Sequence, residues 1–215
     1  MRGTVVSKSI VYGTISFYQG KKAEEQSSHK WACYVRARDD LSVYLKKVVF
    51  TLHPSFKEAQ RTVDRPPFEV CEIGWGEFDI TIQLHFHDPR EKKLELSHFL
   101  RLYPQSGESQ STKKPVLSEC YDEVVFTDPF PDFHERLLNG VGVEPDEERL
   151  QNPFHLEIMQ YYRQYTDEEF VRVLKTIEEG QLFVRDSGNG LREQLRKLDA
   201  EIQALRSQLR DEERK

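Results

Sequence analysis

From Phe78 to Phe86 the chain reads FDITIQLHF, with Phe78, Ile80, Ile82, Leu84 and Phe86 alternating against Asp79, Thr81, Gln83 and His85. A period of two held this long predicts a half-buried strand, because successive strand side chains point to opposite faces. Shorter runs rich in β-branched and aromatic residues predict further strands: Ile10 to Tyr18, Trp31 to Val35, Lys46 to Leu52 and Phe68 to Ile73 before it, Leu94 to Leu102 and Glu119 to Thr127 after it. Turn-forming residues separate them at Asp39-Asp40, Pro66-Pro67, Gly74, Asp88-Pro89 and Pro104 to Gly107. About seven short strands in about 130 residues predict a mainly β fold, an immunoglobulin-like antiparallel β-sandwich over residues 1–133.

Beyond Pro129 the pattern changes. Residues 134–152 contain the acidic stretch Val141 to Arg149 and read as a linker. Residues 153–186 read as a helical segment. Thr166 and Glu169 form a capping box that opens a helix carrying Phe170, Val173, Leu174 and Ile177 on one face, and Ser187 to Gly190 is expected to break it. Over residues 189–213, Leu191, Leu195, Leu198, Ile202, Leu205 and Leu209 recur at spacings of four and three. That heptad seam predicts a C-terminal coiled coil, with Glu201 at g and Arg206 at the following e placed to attract across a parallel pair. A helix this short with so narrow a stripe needs a partner to bury it. The pattern leaves a homodimer and a heterotypic partner both open.

Composition adds limits. The 215 residues are 37% hydrophobic and 32% charged, few core-formers for one compact globule of this length. The formal net charge of −6 disfavours strong direct nucleic-acid binding and is compatible with a basic peptide ligand. Three cysteines with no CxxC, Cys33, Cys71 and Cys120, fit a reducing compartment. No run approaches the roughly 20 apolar residues of a membrane helix, and the N-terminus lacks the apolar core of a signal peptide. Catalytic signals are weak. His85 and His87 share a strand face, with His98 and Cys120 as conceivable additions, but no motif joins them into a metal site. The cysteines sit in apolar strand contexts without a hydrolase signature. The expectation is a non-enzyme with no metal and no cofactor.

Two loop segments stand out. His53-Pro54-Ser55-Phe56 follows one strand, and Gly74-Trp75-Gly76-Glu77 separates two others. Each places an aromatic at the rim of the sandwich, where loops carry function. Glycines on either side of Trp75 let a ligand approach the backbone closely.

The run KKVVFTLHPSFKEAQRTVDRPPFEVCEIGWGEFDITIQLHF resembles the diagnostic core of the YEATS domain: an HxS-aromatic segment, a PP-aromatic-E segment, then G-aromatic-G-x-F entering a strand. His29-Lys30-Trp31 with ACYVR, and Tyr121-Asp122-Glu123 with VVFTD, resemble the family's flanking strands, so that the match spans about residues 5 to 132. The GWGEF context and the C-terminal heptads are most similar to the small-protein branch of histone acetyltransferase and histone-variant-exchange complexes. The resemblance implies a nuclear reader of acylated (acetyl- or crotonyl-) lysine on histone tails that joins a chromatin complex through its coiled coil and regulates transcription. It implies that Phe56 and Trp75 sandwich the acyl amide, with His29 and His53 walling the channel. The Ser55 hydroxyl would bond the acyl-lysine amide and the Trp75 backbone N–H the acyl carbonyl, with Gly74 and Gly76 giving backbone access. Ser27 stands where some members carry an aromatic, and Ser97 where some carry an acidic residue. The alternative is a scaffold of the same fold that has lost ligand binding and acts through its helices.

Overall fold

The computed structural model describes residues 3–105, 107, 109–163, 180, 184, 185, 187, 188, 190–198 and 202. The chain divides into Met1–Tyr162 and Arg163–Lys215. In the first unit eight strands form two antiparallel four-stranded sheets. They are β1 (Val5–Tyr18), β2 (His29–Arg36), β3 (Leu45–Thr51), β4 (Gln60–Val63), β5 (Phe68–Gly74), β6 (Asp79–Phe86), β7 (Leu94–Phe99) and β8 (Val116–Thr127). One sheet runs β5-β2-β1-β8 and the other β4-β3-β6-β7.

The alternating segment is β6, and its period sets the register of the core. Ile80, Ile82, Leu84 and Phe86 are buried while Asp79 is exposed and Thr81, Gln83 and His85 are half-buried. They meet Trp31, Cys33 and Val35 from the opposite sheet in one hydrophobic cluster. From Ile10 onward β1, like most of β2, is buried on both faces. The outer face of their sheet carries Ile15, Phe17, Ala32 and Tyr34, covered by Phe154 and Ile158. Gly13 on β1 lies so close to β8 that a Cβ there would overlap the Ser118 carbonyl oxygen. Several strands differ from expectation. The polar edge strand β4, QRTV, has no hydrophobic run to announce it, and β1 and β8 start earlier than the apolar runs because pairing between them extends from Val5↔Thr127 to Ser16↔Val116.

The segment 134–152, expected as a linker, is instead docked on the sandwich. It lies within α1 (Pro131–Asn139), α2 (Glu147–Leu150) and the turn between them, and α3 (Pro153–Met159) follows. Phe133 and Leu137 insert into the main core, with Phe133 edge-on to Phe126 at 5.3 Å. The Val143 N–H donates to Ser42 Oγ at 2.7 Å and the Asp146 N–H to the Pro66 carbonyl at 2.7 Å. Asp146 caps α2, Asn152 caps α3 and Pro153 opens α3, so each short helix has its own start signal. The sandwich boundary at 133 therefore cuts through α1, and the compact unit continues through α3 to Tyr162.

In the second unit, the capping box at Thr166 and the face from Phe170 to Ile177 lie outside the described residues. The expected break at Ser187 to Gly190 is corrected: Ser187, Gly188 and Gly190 are helical. A glycine costs a helix only about 1 kcal/mol, and no proline follows Pro153 to remove a backbone donor. Residues 190–198 are helical, and Leu191, Leu195, Leu198 and Ile202 are all exposed in the single chain. Leu205 and Leu209 lie outside the described residues.

Candidate functional site

Strand register gathers the predicted residues at one end of the sandwich. Tyr18 on β1 pairs with His29 on β2, and His29 pairs with Gly74 on β5. The loop after β3 folds back toward this end. Leu52 N–H donates to the Ala59 carbonyl at 2.7 Å, and Phe56 N–H to the His53 carbonyl at 3.1 Å, which makes His53 to Phe56 a tight turn with Pro54 at its second position. The loop after β5 is tied down by Glu77, whose Oε1 accepts from the Leu102 N–H at 2.7 Å and the Tyr103 N–H at 3.2 Å.

The floor is aromatic. Trp31, fully buried, meets Phe56 and Phe78 edge-on, each at 5.9 Å between ring centroids. Phe56 and Phe78 lie 5.7 Å apart, and His53 lies 5.9 Å from Phe78. The edge of the Phe56 ring comes within 3.8 Å of the point where a Gly74 side chain would begin. Trp75 follows and is 60% exposed. Neither flanking glycine is demanded by the fold. A Cβ on Gly74 would make ordinary contacts, a Cβ on Gly76 would meet nothing, and neither residue has positive φ.

A second group forms a side wall. His29 is 1% exposed and packs against Tyr18 at 5.4 Å and Tyr103 at 5.3 Å. Gln110 Nε2 donates to His29 Nε2 at 2.9 Å, so the ring proton sits on Nδ1 and is directed to Ser28 Oγ at 3.0 Å. Burial lowers the His29 pKa below its ordinary value, against a smaller opposing pull from Glu77, and the ring is neutral at pH 7. In the first loop the Ser55 N–H donates to His53 Nδ1 at 3.2 Å, with Ser55 Oγ 2.9 Å from the same nitrogen. An imidazole nitrogen that accepts from the backbone is unprotonated. The hydroxyl proton is therefore drawn to it, and the Ser55 oxygen lone pairs are left to accept from a donor outside the turn.

All seven residues singled out in the sequence, His29, His53, Ser55, Phe56, Gly74, Trp75 and Gly76, thus fall on β2, at the end of β5 or on the two loops of this end. Trp31, Phe78, Tyr18, Tyr103, Gln110 and Glu77 were not singled out as site residues. Phe78 and Trp31 look like core residues in a one-dimensional pattern, Tyr18 is brought in by strand register, and Tyr103, Gln110 and Glu77 are brought in by loop contacts. The two tyrosines packed against His29 provide aromatic surface near the position where Ser27 lacks it. A separate cleft of about 400 Å³ between β4, β5 and α2 is lined by charges already engaged with one another, Arg61 with Glu72 at 2.7 Å and Glu69 with His155 at 2.9 Å.

Aromatic rings, a serine hydroxyl and an exposed tryptophan thus stand on the end loops of a β-sandwich. The YEATS family model matches residues 26–104. The "Transcription initiation factor TFIID subunit 14b" of Arabidopsis thaliana is 53% identical over 138 residues, covering 62% of this chain and 52% of that protein. This chain spans about half the length of that plant relative. The "Protein AF-9 homolog" of Schizosaccharomyces pombe is 33% identical over 191 residues, covering 80% of this chain and 86% of that one. Among solved structures, the Yaf9 YEATS domain bound to H3K27ac superposes with a TM-score of 0.57 at 36% identity, over 64% of this chain and 96% of that one. The Yaf9 YEATS domain recognising an H3K122suc peptide gives 0.55 at 37% identity, over the same shares of the two chains. The chain belongs to the YEATS family.

Proposed function

We propose that this protein reads acylated lysine on histone tails and is a nuclear subunit of a chromatin-remodelling or histone-acetyltransferase complex that regulates transcription. The carrying observation is that the two glycines around Trp75 are not required by the fold, that the Phe56 ring edge reaches Gly74, and that Trp75, next in the chain, stands exposed. Space kept clear by the protein at an aromatic rim is space for a ligand.

In this reading the acyl-lysine side chain passes between Phe56 and Trp75, with the acyl amide flat against their rings. The amide N–H donates to Ser55 Oγ, whose own proton is directed to His53. The acyl carbonyl accepts from the Trp75 backbone N–H, which Gly74 and Gly76 leave accessible. His53 and the neutral His29 form walls that carry no charge of their own to hydrate. Unmodified lysine is disfavoured because its ammonium loses hydration on entering an apolar channel and has only donors to offer the Trp75 N–H. Stacking contributes about 0.5–1.5 kcal/mol per aromatic contact and each hydrogen bond about 1 kcal/mol net. After the cost of association, micromolar to submillimolar affinity is expected, strengthened in a complex by other contacts.

The exposed stripe from Leu191 to Ile202 supports an assembly role for the C-terminal helix, as a coiled coil with a second copy or with a complex subunit. The domain organisation that fits best is a reading unit through Tyr162 and an assembly segment beyond it.

The test is calorimetric titration with a histone-tail peptide in acylated and unmodified forms. Trp75→Ala should abolish acyl-peptide binding with little change in thermal midpoint, because an exposed rim residue contributes little to the core. Wild-type affinity in that variant would assign Trp75 a purely structural role and leave the scaffold alternative standing.

A further inference from the structure

Cations gather at the ends of β3 and β6 that lie away from the Phe56 loop. The pairing of these strands slips once: Leu45 lies opposite Phe86 but Lys47 opposite His85, so Lys46 is an extra residue in β3. A bulge of this kind re-aims the side chains around it. Here it gives two successive lysines access to solvent, Lys46 exposed and Lys47 half-buried. On the other side of β6, Leu84 pairs with Leu94, which brings Lys93 near His85. Arg136 on α1 and Lys46 stand near His87. The Arg136 Nε–H donates to the Val43 carbonyl at 2.6 Å, which fixes the guanidinium at this end. Burial lowers the pKa of both histidines, and the cations add to it, Lys47 and Lys93 at His85, Arg136 and Lys46 at His87.

Lys46, Lys47, Lys92 and Lys93 enter no ion pair among the described residues. Nearby carboxylates are engaged elsewhere. Asp88 and Asp132 both hold Arg90, at 2.6 and 2.8 Å, and Glu95 accepts from Gln83 at 2.9 Å. Like charges gathered this way repel one another until an anion joins them. The formal net charge of the chain is −6, so the patch is opposite in sign to the molecule that carries it. That limits the size of the anion. Duplex DNA carries a charge about every 1.7 Å and would run past the patch onto a surface with surplus carboxylates. A short acidic peptide needs only the patch.

We propose that Lys46, Lys47, Lys93 and Arg136 bind an acidic peptide segment of another protein, at the end of the sandwich away from the acyl-lysine site. The assignment stands independently of the acyl-lysine reading.

The experiment uses the full chain and a capped octaglutamate peptide as the probe, titrated by calorimetry and by amide ¹⁵N–¹H spectra at low salt. The wild type should bind it, with the largest signal movements at Lys46, Lys47, His85, His87 and Lys93, and should lose affinity as salt rises. Lys46→Gln with Lys47→Gln and Lys93→Gln should weaken binding about tenfold, as the loss of three surface ion pairs allows. The same three positions changed to arginine should keep it, which assigns the loss to charge and not to a disturbed bulge. Three other exposed lysines, changed together as Lys21→Gln, Lys22→Gln and Lys57→Gln, should leave binding unchanged. Equal weakening by the two glutamine triples, or no binding by the wild type, would overturn the proposal. A DNA duplex of about 20 base pairs that binds more tightly than octaglutamate, and is lost in the first triple, would assign the patch to nucleic-acid phosphates and overturn it as well.

Discussion

Ser55 shows how a single side chain acquires a direction. Its hydroxyl and N–H both lie on His53 Nδ1, at 2.9 and 3.2 Å, so the turn spends the hydroxyl proton internally and presents lone pairs outward. Ser55→Ala should leave the fold unchanged and weaken acyl-peptide binding by about 1–2 kcal/mol, the loss of one hydrogen bond to a partly buried amide, measured by calorimetry. Binding unchanged in this variant would remove Ser55 from the site. The buried histidines make a different prediction. Burial lowers the pKa of both His29 and His98; Thr14 and Cys120 contact the His98 ring. Each takes up its proton more readily when unfolded, near its ordinary value of about 6.5. Their contribution to stability is therefore complete above that pH and lost as pH falls through it toward the depressed folded values. Denaturant titrations should show stability falling between pH 7 and 5, and His98→Gln and His29→Gln should each flatten part of that slope. An unchanged slope in the double variant would mean that neither ring titrates on unfolding.

At the scale of elements, the informative pieces are the short ones. The strong period of β6 was readable because nine residues repeat one choice, but four residues of β4 and four of α2 offer no period to read. Their places are set by neighbours: β4 by its pairing with β3, α2 by the cap from Asp146 and the bond from Asp146 N–H to Pro66. The α3 helix could have been suspected from Asn152-Pro153, a cap followed by a helix-opening proline. What the helix covers could not, because Ile15, Phe17 and Tyr34 look like any other strand residues until the sheet has two faces. Phe154 and Ile158 close the outer face, with Glu69 and His155 paired beneath them at 2.9 Å. Phe154→Ala should therefore cost about 3–5 kcal/mol of unfolding free energy, as for a fully buried phenylalanine. A chain ended at 133 should be much less stable than one ended at 162. Equal melting of those two chains would show that α3 is an accessory rather than part of the core.

Across the whole molecule, the proposed tasks of recognition and assembly fall to separate units. The reading unit has its own core, while four described apolar residues of the C-terminal helix stay exposed in a single chain. Burying each on a partner contributes roughly 1.5–3 kcal/mol, enough to order a helix that is marginal alone. Leu198→Asp with Ile202→Asp should abolish association with the partner, seen by light scattering and pull-down, while leaving acyl-peptide affinity at its wild-type value. A double variant that keeps its oligomeric state and its partners would show that the stripe is buried elsewhere. The net charge of −6 adds a mild attraction for a basic tail, sensitive to salt.

What the chain determined by itself was local: strand periods, turn punctuation, the two aromatic loops and the heptad stripe, each written in residues close together in sequence. Those features were enough to predict the sandwich and to mark the two loops that the fold brings to one end, because motif spacing and strand alternation are properties of neighbouring positions. Tertiary structure alone decided which residues meet across the sheets. It packed Tyr18 and Tyr103 against His29, tied Glu77 to the chain at 102 and 103, and drew 134–152 from an expected linker onto the core. It also left the Trp31 indole N–H without a hydrogen-bond partner among the described residues. Each of these depends on register and packing between distant segments, where burial and the pairing of polar groups are settled, and neither quantity exists until the sheets have formed.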